Sequence, residues 1–133
     1  GALELVRQLR ALIGRAGRMA LLTNGIERVQ RSRLAASPPG PYIDALLTSQ
    51  SLGFQKPDPR CFAEAFRRLG LDPEDPAARA RAIMLGDSLS SDIRGGLDFG
   101  IAACWYNPGG APRIDAIVPD LEIRRLLDFI AKI

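Results

Sequence analysis

Asp87 and Asp92 flank a Gly86-Asp87-Ser88 turn and its trailing serines. Ahead of the turn runs Ala82-Ile-Met-Leu85, a short apolar stretch of the kind a buried strand uses. Behind it a helix is expected, with Ser90 or Ser91 as its N-cap and Asp92 in its first turn. A strand that passes through a loop into a helix places Asp87 at the carboxyl edge of a sheet, where open α/β sheets bind ligands. Two carboxylates turned toward one point on that edge suit a hard cation such as Mg²⁺.

Two further clusters follow apolar runs in the same way. Met19-Ala-Leu-Leu ends in Thr23-Asn24-Gly25, and Asp44-Ala-Leu-Leu-Thr-Ser49 leads to a loop carrying Lys56. In a parallel sheet all three strand ends lie on one edge. The hydroxyl, the backbone N–H groups and the ammonium are donors for phosphate oxygens. The carboxylates would bind the cation that neutralises the same phosphate. Lys56 carries extra weight, because 16 of the 18 basic residues are Arg and Lys stands only at positions 56 and 132. A compact ammonium there points to a point charge instead of a planar fork.

The rest of the composition narrows the chemistry. There is no histidine, which excludes Ser-His-Asp triads and His-ligated zinc. Cys61 and Cys104 lack Cys-x-x-Cys spacing and are expected as buried free thiols. The net charge is +3 with both signs interleaved, so no basic run argues for nucleic acid. No apolar run reaches the roughly 18 residues of a membrane span, and a cytoplasmic location is expected.

The elements that must position these residues follow from periodicity. A helix is expected over 2–15, a strand over 19–24 and a second helix over 26–36. A loop of Ser37-Pro-Pro-Gly-Pro41 comes next, then a strand over 44–49. Pro57 and Pro59 stiffen the Lys56 loop and open a helix reaching about Leu69, with Phe62, Ala65 and Phe66 on its apolar stripe. A turn over 72–77 precedes the strand at 82–85. A strand over 100–106, a short one at 116–118 and a closing helix over 119–132 complete the chain. Strands alternating with helices predict an α/β fold: a Rossmann-like parallel sheet with helices on both faces, in a single domain spanning 1–133.

Leu21-Leu-Thr23-Asn-Gly25, Lys56-Pro-Asp-Pro59 and Gly86-Asp-Ser-x-x-x-Asp92 together resemble the second, third and fourth motifs of the haloacid dehalogenase-like hydrolases. With Gly100-Ile-Ala-Ala-Cys-Trp-Tyr-Asn-Pro108, they look most like the pyrimidine 5′-nucleotidase branch. The resemblance implies a Mg²⁺-dependent phosphomonoester hydrolase acting through an aspartyl-phosphate on a small phosphorylated metabolite, with a nucleoside monophosphate as the leading substrate. It implies that Thr23, with the backbone of Asn24 and Gly25, binds phosphate oxygens. Lys56 would pair with nucleophile and phosphate, Asp87 would ligate Mg²⁺, and Asp92 would support the metal.

The family's first motif, an apolar strand ending in Asp-x-Asp, has no match in these 133 residues. The resemblance therefore implies the carboxyl-terminal part of a core, without the nucleophile, the central strand or the cap, and inactive alone. The central strand would come from a missing segment or another chain, or the two halves would close into a sheet of altered order. Two other readings stay open: a non-catalytic phosphate- or nucleotide-binding module, and a receiver-type domain phosphorylated at Asp87.

Overall fold

The computed structural model describes residues 1–114 and 116–133. Five strands form: β1 (Ala20–Thr23), β2 (Ala45–Thr48), β3 (Ile83–Gly86), β4 (Ala102–Tyr106) and β5 (Leu121–Ile123). The helices are α1 (Ala2–Ile13), α2 (Glu27–Ala36), α3 (Ser49–Leu52), α4 (Pro59–Arg68), α5 (Pro76–Ala80), α6 (Arg94–Phe99) and α7 (Asp128–Lys132). Helices α4 and α5 begin alike. Asp58 and Asp75 each accept a backbone N–H two residues on, and a proline fills the first helical position, where its missing N–H costs nothing.

All pairings are parallel, and the strands fall into two sheets, β1-β2 and β3-β4-β5. The halves do not close onto each other: among the described residues β1 pairs only with β2, and β3 only with β4. The second half has three strands because β5 joins it, with Trp105 opposite Glu122.

Period-two alternation sorts the larger half into layers. Cys104, Leu85 and Tyr106 face Leu5 and Leu9 of α1 and Phe129 and Ile130 of α7. Met84 and Ala103 face the other way, onto α6, where a Cβ at Gly96 would sit 3.0 Å from Met84 Cβ. There Phe62 and Phe66 of α4 close over Phe99, with ring centroids 5.8 and 5.2 Å apart. Leu22 of β1 and Met84 of β3 both pack on this cluster, so α4 ties the halves together. On the opposite side Arg10 of α1 reaches the smaller half, donating to Asp44 Oδ2 at 2.7 Å and to Tyr42 O at 2.9 Å. Both cysteines are buried and unpaired. Burial pushes the Cys104 thiol up to about 11 and raises that of Cys61.

Four expectations need correction. The turn after Asp87 is a π-helical turn, Leu89–Ile93, capped by Ser88 and not by Ser90 or Ser91. Helix α5 takes over part of the expected 72–77 turn. The strand expected at 116–118 does not form, because the Ile117 N–H closes a turn onto Ile114 O and Pro119 has no N–H to pair. The last strand is Leu121–Ile123 instead, which shortens the closing helix to Asp128–Lys132.

Candidate active site

Lys56 stands at the centre of the polar cluster. Its Nζ donates to Leu22 O of β1 at 2.9 Å and to Asp92 Oδ1 at 2.5 Å. The ends of β1 and β3, which share no hydrogen bond, are thus joined through one nitrogen. The pair is nearly dry, with side-chain exposures of 10% for Lys56 and 8% for Asp92. A buried charge of this kind survives only with its partner in place. The Lys56 backbone is fixed as well, since its N–H donates to Asn24 Oδ1 at 3.1 Å.

Asp92 is held from two sides. Its second oxygen, Oδ2, accepts the Ser88 N–H at 3.2 Å. Ser88 Oγ in turn accepts the Ser91 N–H at 3.2 Å, which starts the π-helical turn. Gly86 makes this possible: a Cβ built there would overlap the Asp92 side chain. The Asp87 side chain is exposed and makes no hydrogen bond or ion pair among the described residues. Its carbonyl is anchored, because Trp105 Nε1 donates to Asp87 O at 2.9 Å.

The Thr23-Asn24-Gly25 end is organised by residues that the sequence did not single out. The Gly25 N–H, expected to be free, donates to Ser49 Oγ at 2.9 Å. Thr48, fully buried, donates to Glu27 Oε2 at 2.5 Å. That hydroxyl, with Arg31 beside it, holds the Glu27 carboxyl below its ordinary range. The fold therefore brings Thr23, Asn24, Gly25, Lys56, Asp87 and Asp92 to the same strand ends. Ser49, Thr48 and Trp105 were not legible as supports, because their partners lie 18 to 24 residues away.

The donors suit Mg²⁺ in kind. Asp87 offers a carboxylate with no other partner, and Asp92 lies one turn on. No cluster of three or more His, Cys, Asp or Glu side chains able to cage a metal occurs among the described residues. An open site of one or two carboxylates is what Mg²⁺ uses when water and phosphate supply its other ligands.

The structure is a parallel α/β core with hydrogen-bond donors and carboxylates gathered at its strand ends. The chain belongs to the haloacid dehalogenase-like hydrolases, whose family model matches residues 1–100. It is 34% identical to the HAD-hydrolase YfnB of Bacillus subtilis, over 95% of this chain and 50% of that protein. It is 32% identical to the pyrimidine 5′-nucleotidase YjjG of Escherichia coli, over 95% of this chain and 52% of that protein. A phosphoserine phosphatase of Thermus thermophilus is 35% identical over 86% of this chain and 44% of its own length. A crystal structure of YfnB bound to magnesium superposes with a TM-score of 0.86 at 32% identity, covering 99% of this chain and 54% of that one. The chain thus spans about half the length of the relatives it matches. None of its helices is long and apolar enough to cross a membrane, among the described residues.

Proposed function

We propose that this chain supplies the phosphate-binding and metal-binding part of a Mg²⁺-dependent phosphomonoester hydrolase. The observation that carries the reading is Lys56, whose ammonium is fixed between Leu22 O and Asp92 where β1 and β3 end. A buried ammonium at a parallel sheet's carboxyl edge is placed to attract a phosphoryl oxygen and an attacking carboxylate together. Thr23 Oγ1 donates to a second phosphate oxygen, with the backbone of Asn24 and Gly25 around it. Asp87, with support from Asp92, holds Mg²⁺, which when bound offsets charge on the phosphoryl oxygens. Asp92 keeps Lys56 aimed.

The nucleophile comes from an Asp-x-Asp segment outside these residues. Its first carboxylate attacks phosphorus and forms an aspartyl-phosphate as the ester oxygen leaves. The second carboxylic acid gives that oxygen its proton, then takes one from the water that hydrolyses the intermediate. Strands β1 and β3 each keep one edge without a strand partner among the described residues, and an extended segment pairing along both would deliver its carboxylates beside Lys56. Nucleoside monophosphates lead the candidate substrates.

The test is Mg²⁺-dependent phosphate release from a pyrimidine nucleoside monophosphate. The purified chain is assayed alone, then mixed with a peptide carrying the Asp-x-Asp strand, with Asp87→Asn as control. Silence alone, turnover on mixing and loss of turnover in Asp87→Asn are expected. Turnover by the chain alone would overturn the placement of the nucleophile. Phosphate binding that never leads to turnover would favour a binding module.

A further inference from the structure

An open cleft of about 640 Å³ adjoins the Thr23-Asn24-Gly25 end and runs between Ile26, Gln50, Phe54 and Gln55. In a chain that is 25% charged, none of the described residues lining it is ionisable. The charged residues next to the lining, in sequence or in space, point to other partners. Glu27 is taken by Thr48 and Arg31, Lys56 by Leu22 O and Asp92, and Arg60, whose guanidinium lies 4.5 Å from the Phe54 ring centroid, by Asp58.

The amides in the lining have a fixed polarity. Asn24 Oδ1 accepts the Lys56 N–H at 3.1 Å, and Gln50 Oε1 accepts the Glu27 N–H at 2.8 Å. A backbone N–H can only donate, so the oxygens of both amides must face the protein. Each is left with an NH₂ group that makes no hydrogen bond among the described residues. Gln55 is exposed, and its side chain makes no hydrogen bond among them either. The cleft therefore presents donors, one uncommitted amide and the Phe54 ring, with no ionisable side chain in its lining.

We infer that this cleft receives the leaving group of the phosphoester, and that it selects an uncharged, acceptor-rich group such as a nucleoside over one carrying an ammonium. The inference rests on the phosphate site proposed above, which shares Asn24 and Gly25 with the cleft. Carbonyl and hydroxyl oxygens of a pyrimidine nucleoside match the free NH₂ groups, and Phe54 offers its base an apolar surface. The ammonium of an amino-acid phosphoester would meet donors of its own kind and no carboxylate. A site built from donors rejects a mismatched group more strongly than an apolar pocket does.

The test is calorimetric titration of the 133-residue chain in Mg²⁺ buffer with inorganic phosphate, uridine 5′-monophosphate and O-phosphoserine. Uridine monophosphate is expected to bind about tenfold or more tighter than either of the others. In Gln55→Glu, an exposed substitution whose thermal melt should match the parent, that preference should shrink as phosphoserine gains a partner for its ammonium. If phosphate binds but uridine monophosphate is no tighter than phosphoserine, the inference falls and the phosphate site stands. If Gln55→Glu leaves the ratio unchanged, the leaving group does not enter this cleft. If phosphate fails to bind, both fall.

Discussion

The two halves of the sheet are built to different standards. The β3-β4-β5 half is packed on both faces, by α1 and α7 on one side and by α4 and α6 on the other. In the β1-β2 half, Leu46 and Leu47 are the only buried apolar side chains between residues 19 and 53, and α2 buries none. The inner strands share the contrast, with Leu21 of β1 at 38% and Ile83 of β3 at 36% exposure while Ala103 and Cys104 of β4 are sealed. Polar clamps hold the smaller half to the larger one: Arg10 on Asp44, and Lys56 on Leu22 O. The candidate site thus straddles a well-packed unit and a lightly packed one, and its geometry depends on the clamps as much as on the core.

Breaking the Lys56 clamp should have the largest effect. Asp92→Ala leaves an ammonium nearly buried without its partner, and a loss of about 3–5 kcal/mol is expected in urea unfolding. Retention of parent stability would mean that Lys56 reaches water and does not bind the halves together. Gly86→Ala should come next, at about 1–3 kcal/mol, because the added methyl overlaps Asp92 and must displace it. Its effect should be non-additive with Asp92→Ala in a double-mutant cycle, as contacting residues are. Arg10→Met is expected to cost least, about 1 kcal/mol, since the Arg10–Asp44 pair is partly exposed. Hydrogen exchange should place that loss in β1 and β2 and leave β4 unchanged.

The same clamp gives the smaller half a pH signature. Burial pushes the Asp44 carboxyl up, but the Met19 N–H and the Arg10 guanidinium outweigh it, so the net displacement is downward. A group with a depressed folded pKa contributes stability above the ordinary carboxylate range and loses it as pH falls through its folded value. Stability should therefore decline with acid below that range. Asp44→Asn should flatten the decline while lowering stability at neutral pH, and urea midpoints across pH would measure both. An unchanged acid slope would remove Asp44 from the clamp.

What the sequence revealed, and what it hid, follows the same division. Buried parallel strands read as unbroken apolar runs, so Ala20-Leu-Leu-Thr23, Ala45-Leu-Leu-Thr48 and Ile83-Met-Leu85 were legible, and so were the polar residues at their ends. Strand β5 was hidden because Ile123 falls on one helical stripe with Leu126, Leu127 and Ile130, which draws the expected helix back over Leu121–Ile123. What settles their state is pairing to β4, a contact that local periodicity does not encode. The Ser88 cap was missed because the chain turns immediately after Asp87, where the Asp92 carboxylate is drawn back onto the Ser88 N–H. The supports of the site, Ser49 under Gly25 and Trp105 under Asp87, depend on strand neighbours distant in sequence.

Amide hydrogen exchange at the inner edges of β1 and β3 tests most directly whether the two halves share an unfilled strand position. In the chain alone, the β1 and β3 amides that do not bond to β2 or β4 should exchange quickly while those within β4 stay slow. Adding a peptide with the Asp-x-Asp strand should slow both sets of edge amides together. Edge amides already slow in the isolated chain, or peptide protection confined to one strand, would contradict the account.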